Sequence, residues 1–176
     1  MLLYHVSICC DGSSSLYEQL GRIRHYFEER VFSGSDREQS LTLLETGRIG
    51  QISAHRPILI LPKALRTGGL TPSDGVFSVI ANSDFFAAEE LARCFPRAQI
   101  ITCGLSGGDT VTFSSCGEEQ TVVSLQSPMT TVSGRSVLPQ EFPIPCSAGT
   151  GRFDLLACSA LMLLCDRGEL MGELHL

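Results

Sequence analysis

The residues whose types and spacing suit chemistry fall into three short groups. Asp11-Gly12-Ser13-Ser14-Ser15 follows the first apolar stretch and precedes a helical pattern. Its amides would stand at a helix N-terminus, an arrangement that favours phosphate. The same residues also make an ordinary strand-to-helix turn with a serine cap. Asn82 and Asp84 close a later apolar run. They fall where open α/β sheets bind ligands, and they are equally good helix caps. Arg152 opens an apolar helix, a place where the helix dipole disfavours a cation, which points either to an anion or to pairing with Asp154.

Other chemistries find no support. His5, His25, His55 and His175 are scattered without a metal-binding spacing, so no metal site is expected. The nucleophile elbow G-x-S-x-G and the familiar cysteine-enzyme signatures are missing, so no catalytic residue is assigned. The eight cysteines, Cys9, Cys10, Cys94, Cys103, Cys116, Cys146, Cys158 and Cys165, include no C-x-x-C pair. Most lie in apolar segments, where free cysteine behaves as a small hydrophobe, so reduced core thiols are expected. Glu118-Glu119 reads as a solvated hairpin tip, and Gly68-Gly69 and Gly107-Gly108 read as loop hinges.

Composition bounds the classes that remain. A chain of 176 residues is long enough for a substantial core, and with only 18% charged residues it is too apolar for intrinsic disorder. A net charge of −6 argues against a nucleic-acid partner, which needs a basic footprint. No apolar run reaches the ~18 residues of a membrane span. The opening MLLYHVSICC lacks a basic n-region and suits a first strand better than a signal peptide, which makes the cytoplasm the expected location.

These groups must be positioned by the elements between them. Leu2 to Cys9 reads as a buried strand. Ser15 and Glu18 form a capping box for a helix to about Arg30, and Ser35 and Glu38 form another for a helix to about Leu44. Ile58 to Leu61 is a strand, Lys63 to Gly75 a loop, and Val76 to Ala81 a strand. A helix from Phe85 to Cys94, capped from Asn82-Ser83-Asp84, leads to a strand at Ile100 to Cys103. Thr110–Ser115, Thr121–Gln126 and Thr130–Ser133 then read as an antiparallel meander. Phe142 to Cys146 adds an edge strand carrying Pro143 and Pro145. Phe153 to Cys165 is a helix apolar on nearly every side. With the apolar tail after Gly168, it predicts more apolar surface than one chain hides, and so a second copy or a partner protein.

Two stretches in this order carry a family resemblance. The first is Val79-Ile80-Ala81-Asn82-Ser83-Asp84, a helix, and Ala98 to Leu105 with its Thr102-Cys103-Gly104-Leu105 ending. The second is the meander followed by Gly149-Thr150-Gly151-Arg152-Phe153-Asp154 and an Ala- and Leu-rich helix to Leu161. Together, over residues 76 to 166, they resemble the second half of the ATP-binding central domain of Mur ligases and folylpolyglutamate synthetases. The resemblance implies that family's α/β fold, and, where its site is complete, ATP with magnesium. That family grips phosphate with a lysine-bearing Gly-rich loop, whereas the chain's lysine, Lys63, lies in no such loop. Arg152, Phe153 and Leu156 fall where the family carries its His-Asn…Asn pattern, and leucine offers a base edge no hydrogen bond.

The expectation is thus one α/β domain over residues 1–176. Its parts are an α/β half (1–105), antiparallel strands (106–146) and a buried helix (150–168). The sheet is mostly parallel, flanked by helices and extended by an antiparallel meander. The expected function is a non-catalytic or accessory Mur-ligase-like domain that holds a partner protein or small ligand without a cofactor. The candidate ligand residues are Asp11, Gly12, Ser13, Ser14, Ser15, Asn82, Asp84 and Arg152. The alternatives are a diverged ATP-dependent amide ligase of cell-wall or polyglutamate type, and a structural assembly subunit.

Overall fold

The computed structural model describes residues 2–9, 15–27, 39–46, 57–63, 75–117, 120–145, 149–174 and 176. Strand β1 (Leu2–Cys9) leads to helix α1 (Ser15–Ile23), which tightens into a 3-10 turn (Arg24–Phe27). Strands β2 (Gln39–Thr46), β3 (Ile58–Leu61) and β4 (Ser78–Asn82) follow, then helix α2 (Ala88–Cys94) and strand β5 (Gln99–Cys103). Strands β6 (Val111–Cys116) and β7 (Gln120–Leu125), the short β8 (Met129–Thr130) and β9 (Ser136–Val137), and β10 (Gln140–Pro145) complete the β structure. Helix α3 (Arg152–Leu164) and a second 3-10 turn (Gly168–Glu173) end it.

Eight strands share one sheet in the order β10-β7-β6-β5-β4-β3-β1-β2. The run from β2 to β6 is parallel, and β6, β7 and β10 pair antiparallel. This is the mostly parallel sheet with an antiparallel extension that the sequence predicts. Pro143 and Pro145 sit in β10, the outermost strand on that side, where a missing N–H breaks no ladder.

The central strands are apolar because both faces are covered. Alternation divides them: Ile58, Ile60, Ile80 and Ile101 join the core that holds α1 and α3, while Leu59, Leu61, Val79 and Ala81 pack with Leu91 and Phe95 around α2. Helix α3 is buried from Asp154 through Leu164. One side lies on the sheet, and α1 and the C-terminal 3-10 turn cover others. Met171 and Leu174 are buried, and Leu170 and Leu176 pack against the same core. The apolar surplus that predicts a second copy is therefore hidden inside the chain, and self-association loses that support.

Four expectations about the elements need correction. Residues Gln39–Leu44 are not helical; they belong to β2, which pairs along its whole length with β1. A ladder offered by a distant strand outweighs local helix propensity, and the Ser35 capping box lies outside the described residues. The first helix leaves α geometry after Ile23, where His25 Nδ1 and the Arg22 carbonyl meet at 2.9 Å. The second α/β helix starts at Ala88, with Ala87 as an N-cap that supplies no side-chain bond. Asn82-Ser83-Asp84 does not cap it; Asn82 instead closes a turn by accepting the Asp84 and Phe86 amides on its side-chain and backbone oxygens. Finally, Thr130 belongs to a separate two-stranded ribbon, β8–β9, rather than to the meander.

Helix α3 ends in a Schellman motif, with the Arg167 amide on the Met162 carbonyl at 2.8 Å and the Asp166 amide on Leu163 at 3.2 Å. This motif needs a left-handed residue, usually glycine. Asp166 fills it with φ 60° and is held by Arg135 at 2.9 Å.

Two measurements check this core. Leu161→Ala, at a site with no exposure, should lower unfolding free energy by about 2–5 kcal/mol in urea. Thiol labelling of native protein should mark Cys116 quickly, whereas Cys9, Cys103, Cys158 and Cys165 should wait for unfolding, because Cys116 is exposed and the other four are buried.

Candidate functional site

Because β1, β3, β4 and β5 run parallel, their carboxyl ends meet at one edge of the sheet. Strand β10 is antiparallel to β7, which is antiparallel to β6, so it also ends there and delivers α3 to that edge. Helix α1 starts from the same edge. The strand order reverses between β1 and β3: β2 lies on one side of β1 and β3 on the other. In open α/β sheets the crevice at such a reversal is where ligands bind.

One polar contact joins the two helices at this edge. The Ser15 hydroxyl, at the first residue of α1, donates to Asp154 Oδ2, in the first turn of α3, at 2.5 Å. Asp154 is only 7% exposed. Burial pushes its carboxyl above the usual aspartate range, and the Ser15 hydrogen bond opposes that shift without cancelling it. The carboxylate lies close to the positive ends of two helix dipoles, which favour an anion there. A turn along α3, burial pushes the Cys158 thiol well up, helped by the charge of Asp154. Cys103 at the end of β5 is likewise raised, first by burial and then by Asp109. These thiols are protonated packing groups rather than nucleophiles.

A second polar cluster closes β4 and β5. Gly104 follows β5, and a Cβ there would stand 2.0 Å from Ser83 Oγ and 2.6 Å from Asp109 Oδ2. Any larger residue there would have to displace the Ser83 hydroxyl and the buried Asp109 carboxylate. Asp109 is buried, and its Oδ2 accepts the Ser106 amide at 2.9 Å. Thr102 and Thr110 exchange bonds between backbone amides and hydroxyls beside it.

The sequence-derived candidates are spread along this edge rather than gathered round one point. Asp11, Gly12, Ser13 and Ser14 lie outside the described residues. Ser15 is engaged with Asp154. Asn82 is buried and uses both side-chain ends: Nδ2 donates to the Pro62 carbonyl at 3.1 Å, and Oδ1 accepts the Asp84 amide at 3.0 Å. Asp84 and Arg152 are exposed. Asp154 meets Ser15, not Arg152. Among the described residues no group of histidine, cysteine, aspartate and glutamate side chains is arranged to hold a metal ion.

Sequence reasoning passed over three residues here. In the sequence Asp154 is only a pairing option for Arg152 and Asp109 gives no signal; neither belongs to a motif that announces a buried acid. Lys63 falls in a predicted plain loop. The structure places it two residues past β3, half-buried. The register of β1 with β3, Ile8 beside Ile60, puts it at the sheet's reversal point.

Sequence comparison gives no relative: neither a protein-family profile nor a curated protein matches the chain. Comparison of structures does. The chain is similar to the UDP-N-acetylmuramoylalanyl-D-glutamyl-2,6-diaminopimelate–D-alanyl-D-alanyl ligase of Acinetobacter baumannii, with a TM-score of 0.54 and 12% identity over 99% of this chain and 46% of that one. A murein peptide ligase from Psychrobacter arcticus gives a TM-score of 0.54 and 10% identity, covering 98% of this chain and 46% of that one. The UDP-N-acetylmuramate:L-alanyl-gamma-D-glutamyl-meso-diaminopimelate ligase of Neisseria meningitides gives 0.54 and 10%, covering 99% and 66%. The chain therefore spans about half to two thirds of the length of these ligases. At such identities the likeness is one of architecture: the chain has a Mur-ligase-like α/β fold.

Proposed function

We propose that the chain is a non-catalytic, accessory Mur-ligase-like domain that holds a small ligand or a partner protein at the carboxyl edge of its sheet and does not turn over ATP. The observation that carries this reading is the Ser15–Asp154 contact. A phosphate-binding loop needs amides and a cation facing the nucleotide. Here an internal carboxylate stands at the start of both α1 and α3, so the chain meets the anion preference of those helix ends from within. The repulsion between that carboxylate and a triphosphate is largest where burial excludes water.

A second reading, a diverged ATP-dependent ligase-like enzyme, is favoured by one observation, the position of Lys63 at the reversal point of the strand order. A lysine reaching from β3 would supply the positive charge that the loop after β1 lacks. Calorimetric titration with Mg-ATP separates the two readings. The accessory-domain reading predicts no saturable heat. Micromolar binding that disappears in Lys63→Ala would establish the ligase-like reading instead.

The charge at Asp154 has its own signature. A carboxyl whose pKa is raised by folding binds its proton more tightly in the folded state than in the unfolded state. Its stabilising contribution is therefore present at acid pH and is lost as pH rises from the unfolded aspartate value through the raised folded value. Asp154→Asn removes that dependence. Urea unfolding should show the wild type losing stability relative to Asp154→Asn as pH rises above the ordinary aspartate value of about 4. A wild type that instead gains on the variant over this range would mean that Ser15 and the helix ends outweigh burial.

A further inference from the structure

At the opposite end of α3 the ribbon β8–β9 leans on the helix terminus. The Val132 amide donates to the Leu164 carbonyl at 2.8 Å, and Arg135 bonds Asp166 at 2.9 Å. Between the strand leaving this ribbon and the C-terminal 3-10 turn runs a groove of about 570 Å³. That volume is within the range of ligand sites. Its floor is Leu163 and Phe142, and its wall includes Val137 and Leu138. Leu138 is 65% exposed, one of four large apolar side chains left exposed among the described residues. Gly168 brings the tail backbone against the floor, since a Cβ there would stand 3.0 Å from Leu163 Cδ2 and 3.7 Å from Phe142.

The charges on the wall are unequal in what they have left to offer. Arg135 and Asp166 neutralise one another. Glu169 lines the same groove, is exposed, and has no ion pair among the described residues. The groove thus sets Val137, Leu138, Phe142 and Leu163 beside the neutral polar Ser136 and Gln140, with one uncompensated negative charge on its rim, on a chain whose net charge is −6. From this charge and shape we infer that the groove is a docking site for a short partner-protein segment in which a lysine or arginine adjoins an apolar side chain. The apolar side chain lies over Leu163 and Phe142 beside Leu138, and the cation reaches Glu169. From Asp154 to Leu163 the helix rises roughly 14 Å, so the site is separate from the carboxyl edge. Its test does not depend on whether ATP binds there.

The test uses the full chain with methyl-labelled leucine and valine, titrated with the blocked tripeptides Ac-Leu-Lys-Leu-NH2 and Ac-Leu-Glu-Leu-NH2 and, separately, with hexylamine. The lysine peptide should shift the Val137, Leu138 and Leu163 methyls and leave Leu155 and Leu156 unmoved. It should bind roughly two- to fivefold tighter than the glutamate peptide, the scale of an exposed charge contact. Glu169→Gln, an exposed change that leaves the floor intact, should bring that ratio close to unity. Absence of shifts with either peptide, equal affinity for both, or an unchanged ratio in Glu169→Gln would each overturn the proposal. Hexylamine binding as tightly as the lysine peptide would also overturn it, by assigning the groove to small organic cations.

Discussion

The whole arrangement depends on hiding one helix. Residues Asp154 to Leu164 of α3 are buried without a break, so no face is left to meet water. A helix of this kind cannot lie on a sheet as an ordinary amphipathic cover. It requires a sheet face beneath it, a helix beside it and chain over the top. The isoleucines of β3, β4 and β5 supply the floor, and Leu16, Leu20 and Ile23 of α1 supply the side. The 3-10 tail, tied back by Arg167 to the Tyr26 carbonyl at 3.1 Å, closes the remainder. The antiparallel extension contributes as well, since Val111, Val123, Leu125 and Ile144 all enter the same cluster.

Burying the helix also dictates what happens at its ends. A helix terminus leaves backbone groups unsatisfied, and here both ends have an aspartate attached to a neighbouring element. Asp154 takes a hydrogen bond from α1 at the carboxyl edge, and Asp166 holds the β8–β9 ribbon through Arg135. The first contact places an internal carboxylate at the start of both α1 and α3. The second shapes the groove at the far end. Both the edge contact and the groove thus follow from how one apolar helix is anchored.

Much of the fold was legible because its signals are local. Ile58–Leu61 and Val79–Ala81 are uninterrupted apolar runs, Ile100–Cys103 is broken only by Thr102, and turn residues bound the meander. The segment Gln39–Thr46 was not legible, because its state is set by pairing with β1 across the first helix. Local propensity does not encode that partner. The covering of α3 by the tail was missed for a related reason: Met171 and Leu174 look like surplus until the chain folds back over them. At the candidate site, Asn82 and Ser15 were found from capping chemistry, yet their partners Pro62 and Asp154 stand 20 and 139 residues away. Buried acids such as Asp109 carry no sequence signature of their own, since only the surrounding fold determines that they are enclosed.

Helix α3 is closed over by its own chain. Native-state hydrogen exchange on nucleotide-free protein, at several protein concentrations, tests this most directly. The amides of Cys158 to Leu164 should exchange as slowly as those of β4 and β5, through global unfolding, with protection independent of concentration. Faster exchange of α3 while β4 and β5 remain protected would contradict it, as would protection of α3 that rises with concentration, because either result would mean that the helix needs a cover from outside the chain.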